Sequence, residues 1–161
     1  MELQNLHPRA LKLWRIQGLV AVSVGVLPAA IALGVLLGKN LPIWLAASIV
    51  VLIASIGLGF AVWFPKLAYD RFRYAVREHD FYVERGVLLK RRTAIPLSRI
   101  QHVDTHQGPL EQLLQLSQLH VFTASGMSSD GCLPGLSRET ADALRDRLSE
   151  LGQAAAEEDG V

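Results

Sequence analysis

Two stretches decide the architecture: IQGLVAVSVGVLPAAIALGVLLG over residues 16–38 and LPIWLAASIVVLIASIGLGFAVWFP over residues 41–65. Neither contains Asp, Glu, Lys, Arg or His. A helix rises ~1.5 Å per residue, so about 20 apolar residues cross a ~30 Å hydrocarbon layer. A helix buried in a soluble domain is rarely apolar all round for so long. Two in succession predict an integral membrane protein. Only Lys39 and Asn40 lie between them, so the helices are expected to run antiparallel as a hairpin with both chain ends on one side. The spans are expected over 16–38 and 41–64, after an N-terminal segment 1–15.

Positive charge orients the hairpin. Arg9, Lys12 and Arg15 precede the first span, Lys66, Arg71 and Arg73 follow the second, and Lys39 stands alone between them. Lys and Arg accumulate in cytoplasmic flanks, so both termini are expected in the cytoplasm. Trp14, Trp44 and Trp63 sit near the expected boundaries, and Trp44 and Trp63 are separated by about 28 Å of helix, close to the hydrocarbon thickness. Residues Ala30-Ile31-Ala32 resemble a small-x-small cleavage site after a basic start. The apolar run continues past them and a second span follows at once, which weighs against a removed leader. Ala30, Gly34 and Gly38, and Ala47, Ala54 and Ala61, form stripes of small residues suited to close packing, within the hairpin ahead of dimerisation. Pro28 is expected to kink the first helix. The only serines in the two cores are Ser23, Ser48 and Ser55, too little polarity for an ion path. The hairpin reads as an anchor or docking element.

The 161 residues leave room for one further domain, and the net charge of +1 gives no global field to suggest nucleic acid. A single cysteine, Cys132, excludes an intramolecular disulfide and reads as a packed small side chain.

A domain is expected over 67–152. Phe72 to Val76, Phe81 to Arg85 and Val87 to Ile95 read as strands, with tight turns at His79-Asp80 and Arg85-Gly86. Pro96 ends the third, since it lacks the N–H a ladder needs. Ile100 to Thr105 is strand-like. Pro109 to Leu116 turns helical, with Leu110, Leu113 and Leu114 on one side. Leu119 to Ala124 is another strand, Met127 to Gly131 a polar loop. After Leu133 to Leu136, Ser137 caps a last helix whose face carries Ala141, Leu144, Leu148 and Leu151. Gly152 marks its expected end, before an acidic tail 153–161 expected to be disordered. These elements predict a membrane helical hairpin joined to an α+β domain in which antiparallel strands are closed by a C-terminal helix.

Several phrases carry a resemblance: Phe81-Tyr82-Val83-Glu84-Arg85-Gly86-Val87-Leu88, Ile95-Pro96-Leu97-Ser98-Arg99-Ile100-Gln101-His102-Val103, Gln107-Gly108-Pro109-Leu110-Glu111, Thr123-Ala124, and Leu6-His7-Pro8-Arg9-Ala10-Leu11 at the start. Together with the order of two helices and then a domain, they resemble the bacterial pleckstrin-homology-like (PH-like) membrane family, the YdbS-like proteins. Gln115 stands where that pattern has a glycine. The resemblance implies a PH-like, partly open antiparallel β-barrel capped by the final helix, in a multi-pass protein of the bacterial cell (inner) membrane. It brings no site residues and no established catalytic activity.

His102, Asp104 and His106 alternate along one strand and so share a face. As ligand types they suit a metal, but i, i+2 and i+4 side chains spread over ~13 Å, so a solvated polar sheet face is the better reading. Lys90-Arg91-Arg92 reads as a solvated strand edge, while Arg71, Arg73 and Arg77 are placed for anionic headgroups. Membrane-surface contact is thus expected from Arg9, Lys12, Arg15, Lys66, Arg71, Arg73 and Arg77. Partner binding is expected from His102, Asp104, His106, Lys90, Arg91 and Arg92. No catalytic residue, metal or cofactor is expected. The leading function is a non-catalytic module that recruits a protein partner or senses the envelope. The rivals are a domain binding anionic lipid or a small ligand, and a subunit of a transport or secretion assembly. Expected partners are the lipid bilayer and a membrane protein, a larger protein of the same family among the candidates. Oligomerisation stays open, and nucleic acid is not expected.

Overall fold

The computed structural model describes residues 3–123 and 131–159. It divides into two compact units: Trp14–Leu67, and a second in which Met1–Leu13 joins Ala68–Val161.

The first unit is the hairpin. Helix α1 (Arg9–Ala21), a π-helical turn (Val22–Val26) and α2 (Leu27–Leu37) form one continuous helical run of 29 residues, and α3 (Ile43–Asp70) a second of 28. Pro28 has no N–H, and its ring crowds the carbonyl four residues back. The perturbation expected there takes the form of the π turn just upstream, where the Leu27 N–H reaches the Val22 carbonyl. Ala30 and Gly34 are buried in α2, Ala46 and Ala61 in α3. A Cβ on Gly34 would overlap Val50, and one on Gly18 would lie 3.2 Å from the Ala61 carbonyl oxygen. The packing face of α3 therefore runs through Ala46, Val50, Gly57 and Ala61, and the expected Ala47 faces outward. Elsewhere the hairpin exposes large apolar side chains, with Val24 at 74%, Ile43 at 77% and Trp63 at 75%. Water does not tolerate that surface, and a bilayer core does.

The second unit holds two antiparallel three-stranded sheets. The first has the order β1 (Arg73–Val76), β2 (Asp80–Arg85), β3 (Arg91–Pro96). After a 3₁₀ turn (Leu97–Arg99), the second has the order β4 (Ile100–His106), β5 (Leu116–Thr123), β6 (Gly131–Ser137), with α4 (Pro109–Leu114) between β4 and β5. Phe81, Val83 and Ile95 of the first sheet and Val103, Leu119, Val121 and Leu133 of the second are buried. The sheets come together at Gly131, whose backbone lies against Ile95 and Phe81. No strand pairing joins the sheets among the described residues, so the barrel is open. Helix α5 (Arg138–Asp159) packs on the 3₁₀ turn and β4. Ser137 caps it, its hydroxyl accepting from the Thr140 N–H at 3.1 Å.

The N-terminal segment belongs to this unit, which the sequence did not suggest. Gln4 exchanges backbone hydrogen bonds with Tyr74 at 2.8 and 3.1 Å, extending the first sheet past β1. The Tyr69 hydroxyl donates to the Leu6 carbonyl at 2.8 Å, and Leu6 and Ala10 are fully buried.

Several expectations need correction. Residues 86–90 form a loop, so β3 starts at Arg91 and the connection after Arg85 is no tight turn. Leu113, expected on the apolar side of α4, is 81% exposed, because that helix makes barely two turns and seats Glu111 inward instead. Glu111 accepts from the Gly108 N–H and the Gln118 amide, which satisfies the buried carboxylate. Gly152 does not stop α5, which runs on to Asp159 through the helix-favouring Ala154, Ala155 and Ala156. Its role is close approach: a Cβ there would sit 3.4 Å from the Leu97 carbonyl oxygen. The tail expected to be disordered is thus helical as far as Asp159, and Gly160 and Val161 lie outside the described residues. So does the loop expected at Met127 to Gly131, apart from Gly131 itself, and so do Ala124 and Ser125.

Gln115 occupies the left-handed region, φ 56°, at the C-terminus of α4. That conformation favours glycine, the residue expected there from the resemblance.

Candidate functional site

Alternation along β4 and β5 sends Val103, Leu119 and Val121 inward and leaves His102, Asp104, His106, His120 and Phe122 on the outer face. Cross-strand pairing sets His102 opposite Phe122 and Asp104 opposite His120. The His102 ring stacks on Phe122 with centroids 4.3 Å apart and planes 12° from parallel. His120 stands 6.4 Å from both Phe122 and His106. The His102 Nε2 lies 3.7 Å from an Asp104 carboxylate oxygen, with both side chains more than half exposed. The three expected residues therefore share one face, as the strand period requires. The structure adds His120 and Phe122, whose register opposite β4 a single strand could not reveal. No group of three His, Cys, Asp or Glu among the described residues is arranged to hold a metal ion. What the face offers is a flat aromatic and imidazole surface with one carboxylate, suited to stacking and hydrogen bonding.

Cys132 pairs with His120 across the β5–β6 ladder, its Sγ 4.0 Å from Nε2. Burial pushes its thiol up, Glu111 adds to that, and the Arg85 charge acts the other way. A raised pKa leaves less thiolate at a given pH, and the thiolate is the nucleophile. Alkylation of this lone cysteine by iodoacetamide at pH 8 should therefore run slower than that of a free thiol in a short peptide. An equal or faster rate would remove the packed-side-chain assignment.

The expected basic residues divide into separate groups. Arg71, Arg73 and Lys90 line a cleft of about 290 Å³ with Asp70, Glu84 and Gly86. Arg77 stands apart, its guanidinium 4.1 Å from the Tyr82 ring centroid and 3.6 Å from Asp80. Arg92 bonds Glu84 at 3.2 Å across the β2–β3 pair, while Lys90 and Arg91 are exposed. Lys12 lies in the segment Met1–Leu13, and Arg15 and Lys66 lie in the hairpin unit. Arg9 donates to the Gln115 side chain at 3.0 Å and the Leu114 carbonyl at 3.4 Å. It lines a polar cleft of about 700 Å³ with His7, Gln107, Gln112, Gln115, Ser137, Arg138 and Glu139. That cleft is not legible from one sequence, because its walls come from three segments far apart in the chain.

Comparison with known proteins follows the same outline. The family model described as a bacterial PH domain matches residues 19–152. The chain is 35% identical over 152 residues to the transmembrane protein YdbS of Bacillus subtilis (strain 168), covering 92% of each chain. It is 30% identical over 120 residues to the transmembrane protein YdbT of the same organism, covering 74% of this chain and 20% of that one. No solved structure matches.

Proposed function

Because the chain belongs to the bacterial PH domain family, we propose that it is a non-catalytic, membrane-anchored binding module that recruits a protein partner, or senses the envelope, at the inner face of the cell membrane. The outer face of the second sheet carries this reading. It exposes a stacked His102–Phe122 pair beside Asp104, His106 and His120, the mix of aromatic and polar groups that protein interfaces favour. Two observations support a hairpin with both ends cytoplasmic: the basic flanks of the two spans, and the inclusion of Met1–Leu13 in the same compact unit as Ala68–Val161. A cysteine introduced at Asn40 in a Cys132→Ser background should then be labelled from outside intact cells by an impermeant maleimide. Protection at Asn40 would invert the topology.

A photo-crosslinking residue at position 122, in native membranes, tests the face itself. A discrete protein adduct is expected there and not from position 82 on the outer face of the first sheet. Absence of an adduct at 122, or equal adducts at both, overturns the partner face. A second reading, binding of a small polar or anionic ligand, is favoured by the cleft that joins Arg9, Arg138, His7 and three glutamines. Protection of Arg9 from glyoxal modification by anionic lipid or small anions would shift the reading there.

A further inference from the structure

The loop between β2 and β3 holds the two most exposed large apolar side chains of the described residues, Leu88 at 92% and Leu89 at 88%. Neither contributes to the core, and a loop of this length is ordinarily built from polar residues. The loop is nonetheless fixed. Gly86 at φ 122° makes the turn, its Cα hydrogens facing the Leu89 carbonyl so closely that no side chain fits. Arg71 donates to the Val87 carbonyl and ties the other side down. The leucines are thus presented at a shaped tip.

The charge around the tip is mostly positive. Arg85 and Arg91 are direct cross-strand partners, a like-charge pairing that is unfavourable unless an anion lies near. Lys90 is exposed beside them, and Arg71 is adjacent. Two carboxylates line the cleft that Arg71 and Lys90 share: Glu84, engaged by Arg92 and Tyr82, and Asp70. Apolar side chains leading, with a collar of cations behind, is the chemistry of an element that enters the headgroup region of an anionic leaflet. The chain length agrees: Arg71, which holds the loop, is the fourth residue after Leu67, where the hairpin unit ends.

We propose that the Val87–Lys90 loop is a lipid-inserting wedge: Leu88 and Leu89 enter the bilayer surface, while Arg85, Lys90 and Arg91 hold anionic headgroups. The proposal rests on the membrane-anchored reading and is independent of the partner face on the second sheet. It assigns Lys90 and Arg91 to lipid and leaves that face free.

The test uses the full chain, one copy per nanodisc, in the Cys132→Ser background. Nitroxides are placed at Leu89→Cys and, as an exposed control on α4, at Leu113→Cys. Collision with oxygen relative to a water-soluble nickel chelate is measured in anionic and zwitterionic bilayers. In the anionic bilayer the ratio at position 89 should exceed that at 113 by about fivefold, and Lys90→Glu with Arg91→Glu should bring it down toward the control. Equal ratios at 89 and 113 overturn the wedge. An undiminished ratio after charge reversal, or in zwitterionic lipid, overturns the headgroup assignment. Amide exchange of residues 86–90 in the unlabelled protein guards against perturbation by the probe. It should be slower in anionic nanodiscs than in lipid-free amphipol. Protection that persists in amphipol means that a protein surface covers the loop, and the lipid proposal falls. Labelling at Asn40 and crosslinking at position 122 report on the anchored module separately, so the two failures are distinguishable.

Discussion

Replacing Gly135 by alanine is expected to destabilise the soluble unit by roughly 2–5 kcal/mol, combining left-handed strain with overpacking. Gly135 has φ 72°, a conformation that a Cβ makes unfavourable by about 1–2 kcal/mol. The added methyl would also overlap the Ala10 methyl, in a region where the Ala10 Cα is only 3.3 Å away. Neither side can retreat easily. The Gly135 carbonyl accepts the His7 N–H at 3.1 Å, and Ala10 is wholly buried. The steric part is separable. Ala10→Gly alone weakens α1 by about 1 kcal/mol, yet in the double variant it should relieve the overlap and leave only the backbone strain. Denaturant unfolding of the intact protein in micelles, followed by amide exchange at Tyr74, reads both terms. An unchanged midpoint for Gly135→Ala, or strict additivity in the double variant, would show that the N-terminal segment does not dock on β6.

That contact also marks where the sequence stopped being legible. The two long apolar helices were readable because a sustained apolar run is a local signal that needs no partner. The first two strands of the first sheet and the cap at Ser137 were readable for the same reason, since alternation and capping chemistry act within a few residues, whereas the third strand was placed too early, over the 86–90 loop. Leu113 misled because a helix too short to establish a face was read by its leucines. Gly152 misled because one residue type serves two purposes, ending a helix and letting it approach a neighbour. The docking of Leu6 and Ala10, the row of His102, Phe122 and His120, and the cleft around Arg9 all depend on pairing between distant segments. Strand register decides them, and one sequence does not display it. Gln115 is the intermediate case. The family pattern flagged the position, and the left-handed backbone supplies the physical cause.

Leu148→Ala should lower stability by about 2–5 kcal/mol, the range for a leucine removed from a packed core, whereas Leu113→Ala should move it by no more than about 0.5 kcal/mol. Both are leucines in helices of the same unit, so helix propensity predicts little difference between them. Burial makes the difference. Leu148 is fully enclosed on the face of α5 that also buries Ala141 and Leu144, and that helix packs on the 3₁₀ turn and β4. Gly152, one turn further on, lets the helix approach the Leu97 carbonyl so closely that the surroundings cannot close inward over a void. The cavity should therefore persist, and the loss should fall in the upper half of the range, since the penalty grows with unrelaxed volume. The consequence reaches the candidate site. Helix α5 backs β4 from inside, with Val103 on the covered face and His102, Asp104 and His106 on the other. Loosening the helix should speed amide exchange along Ile100–His106 before it affects β1–β3. If Leu148→Ala left the midpoint and the exchange of β4 unchanged, α5 would not be the element that holds the outer face flat.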